Sequence, residues 1–268
     1  MWLKFLSLAS GSSGNCYYLG NASYGILIDS GIAVRTIKKV LKDNGIAFES
    51  IVGVFITHDH SDHIKTVGSL GKRHHIPVYT TELIHQGIVK SRWVAEDISF
   101  SKRIIQKDTP LQLFDFVITP FEVPHDGIDN IGFLVQYNDI QIVIATDLGY
   151  VPEKVAAYLR RADYLALEAN YDDEMLTNGR YPFYLKTRIK SDTGHLCNTQ
   201  TGDCLANIYT KKLKHVFLCH LSKENNHPEL AYKTVETRLL QAGIMVGEDL
   251  RLTVLKRNKP TEMIYCDK

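Results

Sequence analysis

The sequence predicts an α/β protein whose sheets are covered by helices. Three observations lead there: short apolar runs closed by glycine or polar turns fill the first third, two such runs in the middle are joined by only two residues, and strand and helix patterns alternate afterwards. Trp2–Leu8, Cys16–Leu19, Gly25–Asp29 and Ile51–Thr57 read as strands. Ala33–Asn44 reads as a helix, because Val34, Ile37, Val40 and Leu41 fall at helical spacing and Asn44-Gly45 supplies a stop. Pro77–Thr80, Phe114–Glu122, Ile131–Tyr137 and Ile140–Thr146 continue the strand habit, with Asn138-Asp139 as a two-residue hairpin between the last two. Pro152–Arg161, Thr199–Lys211 and Glu229–Gln241 then read as helices, and Tyr164–Glu168 and His215–Leu218 as strands. Pro228 suits the first turn of the last helix, and Gly243 follows its last turn.

With 268 residues, 44% hydrophobic and 23% charged, the chain can bury a sizeable core and is neither disordered nor collagen-like. Lysine plus arginine number 31 against 30 aspartate plus glutamate, a net charge of +1, so any nucleic-acid partner must be held by a local patch. Cys16, Cys197, Cys204, Cys219 and Cys266 are odd in number, scattered and never spaced Cys-x-x-Cys, which implies no disulfide framework and a reducing compartment. Met1–Ser10 is apolar but brief and lacks a basic start, so it reads as a first strand entering the loop Gly11-Ser12-Ser13-Gly14-Asn15. No apolar stretch approaches the ~20 residues of a membrane helix. The expectation is a soluble, cytoplasmic protein with no membrane contact, and the sequence implies no obligate protein partner. Without linker composition or internal repeat, a single domain over 1–268 is expected.

The chemistry begins where Val54-Phe55-Ile56-Thr57 runs into His58-Asp59-His60-Ser61-Asp62-His63. Three imidazoles and a carboxylate within six positions form a donor set that suits zinc, manganese or iron. Chance would produce this pattern in roughly one of a thousand such sequences. In an extended turn His58 and His60 face one side, while Asp62 and His63 open the following helix, so one loop can feed two ions.

These residues resemble the metallo-β-lactamase-fold superfamily, whose first metal motif is His-x-His-x-Asp-His after a buried strand. The resemblance implies an αββα sandwich of two mixed β-sheets with helices on the outer faces. Leu27-Ile28-Asp29-Ser30-Gly31 is similar to the family's early aspartate turn, in which Asp29 braces the metal loop without ligating. Pro124-His125-Asp126, Ala145-Thr146-Asp147 and Leu218-Cys219-His220 stand where the family places its next histidine, a bridging aspartate and a final histidine. Each follows a strand-like segment, as ligands on one rim of a sheet must. Finer motifs resemble the YycJ/WalJ subgroup of DNA exonucleases acting on 5′ ends, linked in bacteria to a cell-wall regulatory operon. They are Leu8–Cys16, Leu167-Glu168-Ala169-Asn170, Gly179-Arg180-Tyr181-Pro182, Ser191–Leu196 and His220–Asn226, and the match spans nearly the whole chain. The sequence departs from the subgroup at Cys197, where serine is usual, and at His227.

The resemblance implies two divalent ions, zinc or manganese with iron as a further choice. His58, His60 and His125 would hold one, Asp62, His63 and His220 the other, and Asp147 would bridge them, with an activated hydroxide between. Asp62 would orient the water, His195 would protonate the leaving 3′ oxygen, and Glu168 would orient a ligand. Gly179–Lys190 carries four basic residues, no acid and three aromatics. It can hold phosphates through Arg180, Lys186 and Arg188 while Tyr181, Phe183 or Tyr184 stacks on an unpaired base; an ordinary solvated helix face is the alternative. Ser12, Ser13 and Asn15 offer hydroxyls and an amide to a phosphate. His74 and His75 read as a solvated helix end, His85 and His215 as structural, and His227 as a helix-cap neighbour. The function expected is a metal-dependent phosphodiesterase, a 5′-to-3′ exonuclease on DNA with an accessible 5′ end. The alternatives are a thioesterase- or lactonase-type hydrolase of the same fold, and a non-catalytic regulatory module stabilised by metal. The basic-aromatic segment and His195 favour the first, and structural zinc sites are usually closed.

Overall fold

The computed structural model describes residues 2–267. The chain divides into two compact units, with no linker-like composition at the boundary. The first holds the residues up to Thr109 together with Gly127–Asn130 and Lys256–Asp267, and the second holds Pro110–Asp126 and Ile131–Leu255.

The first unit begins with β1 (Leu3–Ala9), β2 (Cys16–Gly20), β3 (Gly25–Ile28), α1 (Val34–Asp43) and β4 (Ile51–Phe55). It continues with α2 (Ser61–Ile64), α3 (Val67–His74), β5 (Val78–Thr80), α4 (Glu82–Lys90) and β6 (Lys102–Ile104). The second unit contains β7 (Leu111–Leu113), β8 (Phe116–Glu122), β9 (Ile131–Tyr137), β10 (Ile140–Ala145), α5 (Glu153–Leu159) and β11 (Tyr164–Glu168). It then adds α6 (Asp173–Asn178), α7 (Phe183–Ile189), α8 (Asn198–Ile208), β12 (His215–Cys219), α9 (Pro228–Gln241) and β13 (Arg251–Val254). Finally β14 (Ile264–Cys266) returns to the first unit.

Each unit is built on one seven-stranded mixed sheet, ordered β14-β1-β2-β3-β4-β5-β6 in the first and β13-β12-β11-β10-β9-β8-β7 in the second. In the first sheet the pairings are antiparallel from β14 to β3 and parallel from β3 to β6. In the second they are antiparallel from β7 to β10 and parallel from β10 to β13. Every residue of β11 and β12 is buried, which is why those strands read as continuous apolar runs without alternation. In the second unit Leu205 of α8 and Val235 and Leu239 of α9 share a core with Val143, Leu165 and Val216 of the sheet.

The expected elements match closely where one local pattern decides them. Ile37, Val40 and Leu41 of α1 are buried, and the chain leaves the helix through Gly45 at φ +70°. The β9–β10 hairpin pairs Tyr137 with Ile140 and turns through Asn138 at φ +52°. Phe114 differs from expectation: it lies in the tight turn between β7 and β8, at φ +52°, because Leu113 pairs with Phe116. The helix expected over Thr199–Lys211 ends at Ile208. His74 ends α3, and His75 caps it in the left-handed region. Among the described residues no helix is long and apolar enough to cross a membrane.

Candidate functional site

In the first unit, β4 delivers Thr57 and the histidine loop, and His60 caps α2, so that Asp62 and His63 lie in the helix's only turn. The ring of His58 lies 4.6 Å from that of His60 and 4.1 Å from that of His63, centroid to centroid. Asp29, fully buried just after β3, anchors the loop. Its Oδ1 accepts from the Thr57 backbone N–H at 2.9 Å, and its Oδ2 accepts from His63 Nδ1 at 2.7 Å. The Thr57 hydroxyl lies 3.1 and 3.0 Å from the two oxygens of this carboxylate, which can only accept, so Thr57 spends its one proton there. His58 Nδ1, 3.0 Å from that hydroxyl, is therefore the donor in their contact. The proton count thus leaves the lone pairs of His58 and His63 on Nε2.

The neighbouring loops are locked to this one by backbone. Asn15 N–H donates to the Asp62 carbonyl at 2.8 Å and Ser30 N–H to the His63 carbonyl at 2.7 Å. A Cβ at Gly31 would lie 1.6 Å from the Asp62 carbonyl oxygen, so only glycine fits. Asn15, expected to face a phosphate, has its side chain buried instead. Its Oδ1 accepts from Gly11 N–H, and its amide nitrogen lies 3.0 Å from His63 Nε2, as a donor to that lone pair would. Ser12 is exposed, and Ser13 donates to Asn258.

In the second unit the site residues follow β8, β10 and β12. His125 donates from Nδ1 to the Gly194 carbonyl at 2.9 Å. Asp147 Oδ2 accepts from the Thr146 hydroxyl at 2.7 Å and lies 2.7 Å from His220 Nδ1. Glu168, fully buried at the end of β11, receives Leu148 N–H and Leu196 N–H on Oε2, both at 3.1 Å, and His195 Nδ1 on Oε1 at 2.8 Å. Burial disfavours a charge on His195, but Glu168, with help from Asp147 and Asp126, outweighs it and raises the imidazole to about 9. One donor atom each from His125, Asp147 and His195 lies within 4.8 Å of the others, as does one each from Asp147, Glu168 and His220.

Asp29, Asp147 and His220 share a backbone device. Asp29 and His220 directly follow a strand and Asp147 follows one after Thr146, and all three are left-handed, at φ +61°, +54° and +57°. That conformation costs a non-glycine residue of order 1 kcal/mol, and such strain collects at functional sites.

These residues fit a metal. A histidine whose Nδ1 is held by an oxygen ligates through Nε2, the arrangement of His58, His63 and His125, and carboxylates complete a donor set for zinc or manganese. The relays through Thr57 and Thr146 escaped sequence reasoning; the signal available was a threonine directly before His58 and before Asp147.

The basic-aromatic segment forms α7 and the turn before it. Arg180 is exposed, Lys186 donates to the Thr177 carbonyl at 2.8 Å, Arg188 pairs with Asp126 and Lys190 with Asp173. Tyr181 packs on the small cluster of Tyr171, Leu176 and Cys197, whereas Phe183 and Tyr184 face solvent. Cys197 begins α8 as its N-cap: its sulfur accepts from Gln200 N–H at 3.5 Å, and Gln200 answers on Cys197 N–H at 2.9 Å.

Two mixed sheets, each sending histidines and aspartates from the ends of its strands, are the build of one large group of hydrolases. Residues 24–220 match the beta-lactamase superfamily domain, and the chain belongs to that superfamily. Over nearly its whole length it is similar to exodeoxyribonuclease YycJ of Bacillus anthracis, 33% identical over 266 residues that span 99% of this chain and 100% of the relative. It is 35% identical over 249 residues to exodeoxyribonuclease WalJ of Streptococcus pneumoniae serotype 2, covering 93% of each. Two solved structures share the fold. YhfI of Bacillus subtilis superposes with a TM-score of 0.72 at 18% identity, covering 97% of this chain and 99% of its own. Zinc-bound PqqB of Methylobacterium extorquens gives 0.71 at 15%, with the same coverage.

Proposed function

We propose that this chain is a metal-dependent phosphodiesterase, a 5′-to-3′ DNA exonuclease acting as one domain in the cytoplasm. Similarity to named exodeoxyribonucleases along the whole chain supports the substrate, and Cys16, Cys197 and Cys204, none in a disulfide, suit a reducing compartment. The observation that carries the chemistry is the set of Nδ1-anchored imidazoles beside buried carboxylates. In this reading His58, His60 and His125 would hold one ion and Asp62, His63 and His220 the other, with Asp147 a donor available to both. Divalent zinc or manganese bound there would lower the pKa of water and offset charge on the phosphodiester.

The remaining work falls to side chains of the chain itself. Asp62, the least buried of the carboxylates, orients the attacking water and takes its proton. His195, held as a cation by Glu168 through Nδ1, gives its Nε2 proton to the leaving 3′ oxygen as the P–O3′ bond breaks. The products are a terminal nucleotide with a 3′ hydroxyl and a strand with a new 5′ phosphate. Arg180 meets the incoming backbone, while Asp29 and Asn15 keep the histidine loop in place.

The test offers purified protein, with manganese or zinc, 5′-labelled DNA, RNA, a thioester and a β-lactam in parallel. Metal-dependent release of label from DNA is expected; turnover of an acyl substrate alone overturns the proposal. His195→Ala should keep its metal content and lose about a hundredfold or more in turnover. Loss of metal would make His195 a ligand instead.

A further inference from the structure

We infer that Phe183 and Tyr184 of α7 form a stacking platform for unpaired bases, so that DNA enters the site with a single-stranded 5′ end. The inference rests on the exonuclease reading and names the strand state that site accepts.

The first observation is exposure. Phe183 and Tyr184 are consecutive, 84% and 74% exposed, on a helix none of whose residues is buried. Aromatic rings left in water beside cations are the means by which proteins hold single strands: every base has a π-face, and stacking is worth roughly tenfold in affinity per base.

The second observation is attachment. His195 N–H donates to the carbonyl of Ile189, the last residue of α7, at 2.9 Å. The Gly194 carbonyl in turn accepts from His125 Nδ1, and Arg188 pairs with Asp126, next to His125. A Cβ at Gly194 would lie 2.2 Å from the Ile189 carbonyl oxygen, so the loop is pressed onto the helix as closely as backbone allows. The aromatic pair is thereby fixed to two histidines of the site.

The third observation is charge. Arg180, Lys186, Arg188 and Lys190 flank the aromatics along the chain, and no acid lies between Gly179 and Lys190, which selects a polyanion over an apolar peptide. Arg188 and Lys190 already face Asp126 and Asp173, which blunts their pull on phosphates and leaves the rings as the stronger handle. Phe183 also lines a groove of about 290 Å³ with Thr177, Lys186, Thr187 and Lys190, room enough for one nucleoside. In a duplex each base face is covered by its neighbours and held by its partner, so the platform needs frayed or unpaired ends.

Binding of metal-loaded protein to DNA with a short 5′ overhang, made uncleavable by terminal phosphorothioates, tests this by fluorescence anisotropy. One overhang carries bases at its first positions and the other carries abasic spacers. The wild type should bind the base-bearing strand about ten- to a hundredfold more tightly, and an overhang better than a blunt end. The double substitution Phe183→Ala and Tyr184→Ala should erase the difference with unchanged metal content and circular dichroism, and Phe183→Tyr with Tyr184→Phe should keep it. Equal binding of both overhangs by the wild type, or a difference that survives in the double alanine variant, overturns the platform. Tighter binding of an RNA overhang overturns the choice of DNA. Digestion of DNA without base discrimination defeats the platform alone, whereas no binding of any DNA defeats the exonuclease reading as well.

Discussion

Replacing Asp29 separates what its carboxylate does for the fold from what it does for the metal. In Asp29→Ala, the Thr57 N–H and His63 Nδ1–H are left buried without their acceptor. Each unmade bond costs about 1–3 kcal/mol, and alanine in the left-handed region adds of order 1 kcal/mol. The sum is about 5 kcal/mol, a large part of an ordinary domain's stability. Asparagine tolerates that conformation and keeps an oxygen for Thr57, so Asp29→Asn should lose only about 1–2 kcal/mol. Its amide, however, presents a donor to His63 Nδ1 and drives the imidazole proton to Nε2, where the metal must bind. Metal affinity should fall 10- to 100-fold, the range for losing a partner of a ligating histidine. Urea unfolding in chelator measures the first effect, and zinc or manganese titration against a competing chelator the second. Metal binding by Asp29→Asn as tight as that of the wild type, or unfolding of Asp29→Ala within about 1 kcal/mol of it, refutes this role for Asp29.

Two further predictions concern stability. Sulfur is a weak acceptor, so Cys197→Ser should tighten the cap of α8 by about 0.5–1 kcal/mol and raise Tm by roughly 1–4 °C, outweighing lost contact with Tyr171 and Leu176; a lower Tm refutes it. Burial, and then Arg251, depress His215 to about 4. The unfolded chain, whose histidine titrates near the ordinary ~6.5, therefore takes up the proton first. Stability from this group is complete above about pH 6.5 and drains by at most about 3 kcal/mol as pH falls toward 4. His215→Gln should flatten that part of the pH dependence of the urea midpoint between pH 7 and 4.5; an unchanged slope would falsify the assignment.

Elements decided by contiguous pattern are legible in the residues alone: β9, β11 and the hairpin through Asn138 run as the residues imply. The strands that close each sheet were not. β14 pairs with β1 across almost the whole chain, Leu3 against Cys266, and three residues carry no periodicity to announce it. Likewise β6 and β7 are three residues each and largely exposed, so no apolar pattern marks them. Of the site, the chemistry of His58 to His63 was legible because the residue types themselves are rare and dense. The role of Asn15 was not, because an amide in a glycine-serine loop looks the same whether it meets a phosphate or, as here, the Nε2 of a histidine. Which basic residues of α7 are already spoken for depended on Asp126 and Asp173, and local sequence does not reveal such pairings.

Both sheets change from antiparallel to parallel at a strand, β3 or β10, that is followed within two residues by the same signature: an aspartate of left-handed backbone, one residue, then a glycine pressed on a carbonyl. Asp29-Ser30-Gly31 and Asp147-Leu148-Gly149 each also set a carboxylate oxygen 2.7 Å from a histidine Nδ1, that of His63 and that of His220. The same turn thus serves two ends: the first aspartate is sealed inside as a strut for His63, and the second lies within reach of His125, His195 and His220.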